Sequence, residues 1–142
     1  MSKLDEKSQR GASVIGGMMG QEFADKMVEG ATSGAFCSDI TRMALDYSFA
    51  DSWGRPGLSP RDKSLAVISA LIAMKQPNEL RNHVKIGIAN GLTVSDFESL
   101  LIQLSSYVGF PCIATAQTAV IEALRQAGHD PNVKTSEERG LL

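Results

Sequence analysis

Residues 79–91 read ELRNHVKIGIANG, and their pattern predicts a helix. With about 100° between successive residues of a helix, one face carries the apolar stripe Leu80, Val84, Gly87 and Ile88. Along one edge of that stripe lie Glu79, His83, Ile86 and Asn90. An acid, an imidazole and an amide therefore line the boundary between a core and a cavity, which makes this edge the leading candidate for chemistry.

Length and composition favour a single domain over residues 1–142, with a polar tail from about residue 129. Hydrophobic residues make up 43% of the chain and charged residues 21%, which is ordinary for a globular protein. The net charge of −2 and the lack of basic runs argue against nucleic acid or an anionic membrane as a partner. Because neither an apolar run of about 18 residues nor a signal peptide is evident, we expect a cytoplasmic protein.

The two cysteines, Cys37 and Cys112, are far apart in the sequence. Isolated cysteines in a cytoplasmic chain are usually buried thiols, so we expect neither a disulfide nor a redox pair. The chain has two histidines without the spacing of metal ligands, and we therefore expect no metal site.

The spacing of apolar residues predicts an all-α fold of about six to seven helices, because no stretch shows the alternation of a strand. Glycine and proline separate the predicted helices, which cover residues 3–18, 20–30, 35–53, 60–75, 77–90, 93–107 and 112–127. The helix from Pro60 is apolar nearly all round, so we expect it at the centre of the core. Thr93, with Asp96 three residues later, is typical of a capped helix start.

Six motifs along the chain carry a family resemblance. They are Phe36, Ser48-Phe49-x-x-x-Trp53-x-Arg55-Pro56-x-Leu58, Arg61-x-x-Ser64-Leu65, Glu79-Leu80-Arg81-x-His83, Asn90-Gly91-Leu92-Thr93, and Tyr107-x-Gly109-x-Pro111. In this order and spacing they closely resemble the gamma-carboxymuconolactone decarboxylase family, over about residues 3–128. The resemblance implies an all-α bundle like that of alkylhydroperoxidase D, assembled as a homo-oligomer, often a trimer or hexamer.

The resemblance also implies a reaction, the loss of CO2 from 4-carboxymuconolactone to give the β-ketoadipate enol-lactone in aromatic catabolism. The redox branch of the superfamily carries Cys-x-x-Cys before the histidine and a glutamate upstream. Those positions are Gln76, Glu79 and Ser64 here, which excludes a dithiol peroxidase mechanism. Ser99 stands where decarboxylase-like members often have an acid, and this departure leaves the exact substrate open.

The implied substrate is a small dianion that accepts the electrons left by CO2 on its own lactone carbonyl, so no metal or organic cofactor is required. The protein must supply cations, donors for the developing oxyanion and an acid for the carbanion. We interpret His83 as the proton donor and Glu79 as the group that orients it or tunes its pKa. Asn90 is a candidate to bind the carbonyl oxygen. Each residue also has a structural alternative. His83 is then a core-edge histidine, Glu79 an acid that complements the helix dipole, and Asn90 a helix terminus.

Two arginines flank the loop rich in proline and glycine and are candidates to bind the carboxylates, Arg55 and Arg61. Arg61 lies one turn before Leu65, so we expect its side chain along the buried face. The alternatives are a loop-ordering hydrogen bond for Arg55 and, for Arg61, a buried ion pair with Asp62 or another helix. Trp53 and Tyr107 are packing residues or walls of a pocket for a flat lactone. For Arg81 we favour a salt bridge or a subunit interface.

The sequence thus predicts a cofactor-independent carboxy-lyase with its pocket beside His83. Two other interpretations remain open. One is an isomerase or hydrolase that acts on another small oxo-acid or lactone on the same fold, and the other is a non-catalytic oligomeric binding protein.

Overall fold

The computed structural model describes residues 3–142, and within that range it contains helices and no strand. The elements are α1 (Glu6–Met19), α2 (Gln21–Thr32), α3 (Ser38–Met43), a π-helical segment (Ala44–Trp53), α4 (Pro60–Ala73), α5 (Pro77–Ala89), α6 (Val94–Val108) and α7 (Phe110–Gln126). The prediction of an all-α protein with about six to seven helices is confirmed. None of the helices in the described range combines the length and apolar character needed to cross a membrane.

The helices form two compact units, one ending at Ser59 and the other spanning Pro60–Leu142. The first unit holds α1, α2, α3 and the π-helical segment. The second holds α4 to α7 and the chain that follows them.

The first unit is built on close packing between α1 and the π-helical segment. At Gly11 a Cβ atom would lie 2.0 Å from the backbone oxygen of Leu45, so only glycine permits this approach. The neighbouring Ser8 is fully buried, and its hydroxyl donates a hydrogen bond of 2.5 Å to Asp46. Ile15 completes the buried side of α1.

The third predicted helix, residues 35–53, is present as α3 followed by the π-helical segment. The wider register shows at its end, where the backbone N–H of Gly54 donates to the oxygen of Phe49, five residues earlier. Apolar periodicity does not distinguish an α-helix from a short π-helical segment, so this feature was not predicted.

The second unit has its core between α4, α5, α6 and α7. The predicted stripe of α5 is buried at Leu80, Val84 and Gly87, while Ile88 is partly buried against the same core. Small residues let α7 approach closely, because Ala116, Ala119 and Ala123 are all buried. A Cβ atom at Gly87 would lie 2.9 Å from Leu92 Cδ1 and 3.1 Å from Phe97 Cζ, so α5 is in tight contact with its neighbours.

Helix α4 corrects one expectation. It buries a single stripe, formed by Ser64, Ile68 and Ile72. Its opposite face exposes small residues, Ala66, Ala70 and Ala73. The predicted place of α4 at the centre of the core therefore holds for one stripe only, because a pattern of small apolar residues does not distinguish an exposed alanine face from a buried one.

The predicted start of α6 is confirmed in detail. The Thr93 hydroxyl accepts a hydrogen bond from the backbone N–H of Asp96, and the Asp96 carboxylate accepts one from the backbone N–H of Thr93. The break before α7 is shorter than predicted, since Gly109 alone separates the two helices. Its φ of +86° is a backbone conformation that favours glycine.

The segment after α7 is polar in composition, as predicted, and is also anchored. Arg125 forms an ion pair with Glu138 at 2.8 Å and a longer one with Asp130, and it donates to the backbone oxygen of Val133. Thr135 is 6% exposed. These contacts hold the segment against the end of α7.

We predict opposite effects of two alanine substitutions in α1. Gly11→Ala should lower the free energy of unfolding by about 2–3 kcal/mol, since the new methyl group overlaps the Leu45 carbonyl. Gly17→Ala should raise it by about 0.5–1 kcal/mol, because no atom lies within 4 Å of that Cβ and alanine favours a helix. Urea unfolding, followed by the fluorescence of Trp53, measures both.

Gly17→Ala is the matched control, because it makes the same chemical change in the same helix. A Gly11→Ala variant as stable as Gly17→Ala would contradict the close packing of α1 on the π-helical segment.

Candidate active site

His83 lies on the edge of α5, beside the buried stripe. Its side chain is partly buried, and its Nδ1 atom is inaccessible to solvent. Burial lowers the pKa of His83 from the usual 6.5, and the opposing charge of Glu79, one turn away, raises it by less. The structure thus favours the neutral imidazole in the protein without substrate.

Glu79 is exposed in the first turn of α5, after Pro77 at the helix start. In this place its charge complements the helix dipole and also acts on His83. Glu79 therefore raises the pKa of His83, and it also complements the helix dipole, which was the structural alternative.

Asn90 ends α5 and joins it to α4. Its amide Nδ2 donates a hydrogen bond of 3.0 Å to the hydroxyl of Ser64, which is fully buried. Its backbone N–H donates to the oxygen of Ile86, as at an ordinary helix terminus. Both bonds give Asn90 a structural task, and its role toward a carbonyl oxygen stays a prediction.

Ser64 was not among the predicted site residues. In the sequence, Ser64 occupies the position at which the redox branch of the superfamily carries a glutamate. The buried hydrogen bond to Asn90 places Ser64 next to a predicted site residue, and the motif position was the signal that pointed to it.

Arg61 lies elsewhere than expected. Its side chain is 44% exposed instead of following the buried face, and it forms an ion pair of 2.7 Å with Asp96 of the α6 capping box. The bond uses the Nη2 atom of Arg61, and a guanidinium has five N–H donors. The pair therefore holds the cation beside Asp96 and leaves donors to bind a second carboxylate.

Arg81 differs from Arg61 in this respect. Its Nε and Nη2 atoms both donate to Glu122 of α7, at 2.9 and 2.7 Å, and its Nη1 atom donates to Asn78. All three nitrogens thus have partners within the second unit. Of the two predicted roles for Arg81, the salt bridge is the one confirmed.

The remaining predicted site residues differ in exposure. Tyr107, at the end of α6, is 81% exposed. In the first unit, Trp53 is partly buried and Arg55 is exposed in the loop that follows it. Their proposed contacts with substrate stay predictions.

The cysteines divide between one correct prediction and one error. Cys112 is 3% exposed, and its thiol donates to the backbone oxygen of Ile72 at 2.8 Å. Cys37 is exposed, which contradicts the prediction of a buried thiol. Its φ of 65° places it in a turn before α3, and exposure follows from that place. Among residues 3–142, no three side chains of His, Cys, Asp or Glu are grouped as metal ligands.

Comparison with known proteins decides the question of the family. The model of the carboxymuconolactone decarboxylase family matches residues 38–127. The chain belongs to this family.

Two relatives agree with the family. The 4-carboxymuconolactone decarboxylase of Acinetobacter baylyi is 25% identical over 127 residues, which cover 89% of this chain and 93% of that protein. The nitrosuccinic acid decarboxylase of Metarhizium robertsii is 27% identical over 104 residues, covering 72% of this chain and 71% of that protein. Both relatives are decarboxylases, so the prediction of a carboxy-lyase is confirmed at the level of the family.

We predict that His83 makes stability depend on pH. Its pKa is lowered in the folded protein, so between that value and about 6.5 the unfolded chain binds more protons. This contribution is fully present above pH 6.5 and is lost as the pH falls through the folded pKa. The free energy of urea unfolding should therefore fall from pH 7 to pH 5, and His83→Gln should reduce that fall.

The exposed His129 provides the control, since His129→Gln should retain the fall seen in the wild-type protein. Carboxylates with lowered pKa values, such as Asp96, lose their contribution at more acidic pH and do not disturb this window. Identical slopes for His83→Gln and the wild-type protein would contradict the role of burial at His83.

Proposed function

We propose that the protein decarboxylates 4-carboxymuconolactone to the enol-lactone of β-ketoadipate, without a cofactor, in aromatic catabolism. The observation that carries this proposal is the partly buried His83 on the edge of α5, beside Glu79, in a chain of this decarboxylase family. A relative named 4-carboxymuconolactone decarboxylase supports the choice of substrate.

The reaction breaks the bond between a ring carbon and the departing carboxylate. The electron pair of that bond passes through the ring C=C bond to the lactone carbonyl oxygen, and CO2 leaves. The resulting dienolate takes up one proton on carbon to give the enol-lactone. The substrate itself accepts the electrons, so the protein has to bind two carboxylates, stabilise the oxyanion and deliver one proton.

His83 is the proposed proton donor in this step. Its lowered pKa favours the neutral form before substrate binds, whereas a bound dianion favours the imidazolium. Substrate binding therefore favours protonation of His83, and the reaction uses this proton. Glu79 acts in the same direction and is the proposed tuning group.

The other roles belong to the same proposal. Arg61 binds a carboxylate, and Asn90 donates to the carbonyl oxygen. Tyr107 forms a wall of the pocket. We further propose a homo-oligomer, a trimer or hexamer, in the cytoplasm.

A second substrate class is favoured by the relative named nitrosuccinic acid decarboxylase. Nitrosuccinate is also a small dianion, and its nitro group accepts the electron pair left by CO2, as the lactone carbonyl does. Both reactions thus need the same protein groups: cations, an oxyanion donor and one acid. The more general proposal is that the substrate is a small dicarboxylate that contains its own electron-accepting group.

We predict that the purified, metal-stripped protein releases CO2 from 4-carboxymuconolactone. His83→Ala should lower kcat by a factor of about 10²–10⁴, since a positioned general acid contributes that much. Trapping of CO2 and the ultraviolet change of the lactone measure the rate. Nitrosuccinate is assayed in parallel as the second candidate.

His129→Ala is the matched control, because it removes the other histidine of the chain from an exposed position. It should keep wild-type activity. The proposal fails if micromolar enzyme turns over neither acid, and a change of substrate without CO2 release indicates an isomerase or hydrolase. A folded His83→Ala variant with full activity removes the histidine from the mechanism.

We predict that Arg61→Met raises KM for the dianion about tenfold or more, because a charge-assisted bidentate contact is lost. Arg81→Met is the control, since all three nitrogens of that arginine already have partners. It should leave KM within about twofold, while both variants lose an ion pair of the second unit. Initial rates over a range of substrate concentrations, with thermal melting of each variant, separate the two effects; an unchanged KM in Arg61→Met excludes the proposed role.

A further inference from the structure

The second unit contains a cavity of about 450 Å³ between α6, α7 and the segment after α7. Its walls are mainly apolar side chains, among them Phe97, Leu101, Val120 and Leu124. Ser105 and Gln117 add polar groups. Pockets that bind small molecules have this size range and this mixture of apolar walls with a few polar groups.

This cavity is separate from the edge of α5 considered above. Of the second unit's predicted site residues, none of His83, Glu79, Arg61, Asn90 and Tyr107 lines it. The cavity therefore has no role in the proposed decarboxylation.

The charges of the lining determine what the cavity is suited to bind. Glu98 is its only charged residue, and no lysine, arginine or histidine lines it. Glu98 is exposed at the mouth together with Ile102, Phe110 and Val133, whereas Phe97 and Leu124 are buried, so the carboxylate lies toward solvent and the deepest part of the wall is apolar. Such a site disfavours an anion, because a second negative charge would meet Glu98 without a neutralising cation.

The segment after α7 completes the cavity. Pro131 and Val133 belong to its lining. Arg125 holds this stretch through Asp130, Glu138 and the backbone oxygen of Val133. The wall is therefore formed by ordered contacts and does not depend on a second chain.

We propose that this cavity is a second small-molecule site, selective for an apolar ring compound that is uncharged or carries one positive charge. The apolar walls bind the ring, and Glu98 disfavours anions such as the proposed substrate. The site is independent of the decarboxylation proposed above.

Three probes of one shape test the proposal: 2-naphthylmethanol, 2-naphthylmethylammonium and 2-naphthoate. Chemical shifts of backbone amides in α6 and α7 follow each titration of the full chain. The alcohol and the ammonium should shift the amides of Leu101 and Val120, and 2-naphthoate should bind about threefold to tenfold more weakly than the alcohol. Glu98→Gln should reduce that difference to within about twofold and weaken the ammonium, with the alcohol unchanged.

A bulky substitution tests the location. Gln117→Trp places an indole in the lining and should weaken all three probes about tenfold or more. Gln103→Trp is the matched control, because Gln103 is an exposed residue of α6 that does not line the cavity, and it should change nothing. His83→Ala should bind the probes like the wild-type protein, so the result does not depend on the proposed decarboxylation.

Three outcomes overturn the proposal. One is the absence of probe-dependent shifts in α6 and α7, and another is equal affinity for 2-naphthoate and the alcohol. The third is occupation of the cavity by a second copy of the chain. In that case the amide shifts change with protein concentration, and Gln117→Trp lowers the molar mass measured by light scattering.

Discussion

Close contact of α5 with its neighbours at Gly87 is the constraint on which the second unit depends. A Cβ atom there would lie 2.9 Å from Leu92 Cδ1 and 3.1 Å from Phe97 Cζ, so α5 packs closely against the side chains of Leu92 and Phe97. Together with the buried Leu80 and Val84, Gly87 defines the face of α5 that meets the core, and thereby where the residues beside the stripe lie. His83 is therefore partly buried at the boundary of the core, and Glu79, one turn earlier, is exposed. The packing of a glycine thus sets the environment of the candidate catalytic histidine.

That environment explains why two opposing effects act on one imidazole. Burial lowers the pKa of His83 more than the charge of Glu79 raises it. An exposed carboxylate is screened by water, whereas desolvation acts directly on the buried part of the ring. The balance is compatible with the proposed role of His83, which would acquire its proton together with the proposed dianionic substrate. A histidine charged before binding would need no such coupling, and a deeply buried one would resist charging.

Periodicity and local chemistry predicted the helices of this chain well, because they depend on neighbours in sequence. The apolar stripe of α5 and the capping box at Thr93 are examples. Contacts between residues distant in sequence were predicted in kind at most, as for the salt bridge of Arg81 and the alternative of an ion pair for Arg61. The exposed alanine face of α4, the ion pair of Arg61 with Asp96 and the anchoring of the last segment by Arg125 all require knowledge of which helices meet. The site shows the same division: the edge with His83 was predicted from spacing, whereas the bond between Asn90 and Ser64 joins residues 26 positions apart.

The arginines illustrate how an ion pair bears on function. An arginine already paired with an acid is often dismissed as structural, yet a guanidinium has five donors. Arg81 uses all three of its nitrogens within the second unit, so a substrate carboxylate would have to displace Glu122 or Asn78. Arg61 uses Nη2 on Asp96, and the pair removes side-chain freedom that binding would otherwise have to restrict. Asp96 also caps α6, so the position of this cation is coupled to the start of a helix. The ion pair is therefore compatible with substrate binding by Arg61, and the number of occupied nitrogens is a better criterion for such a role than the presence of a partner.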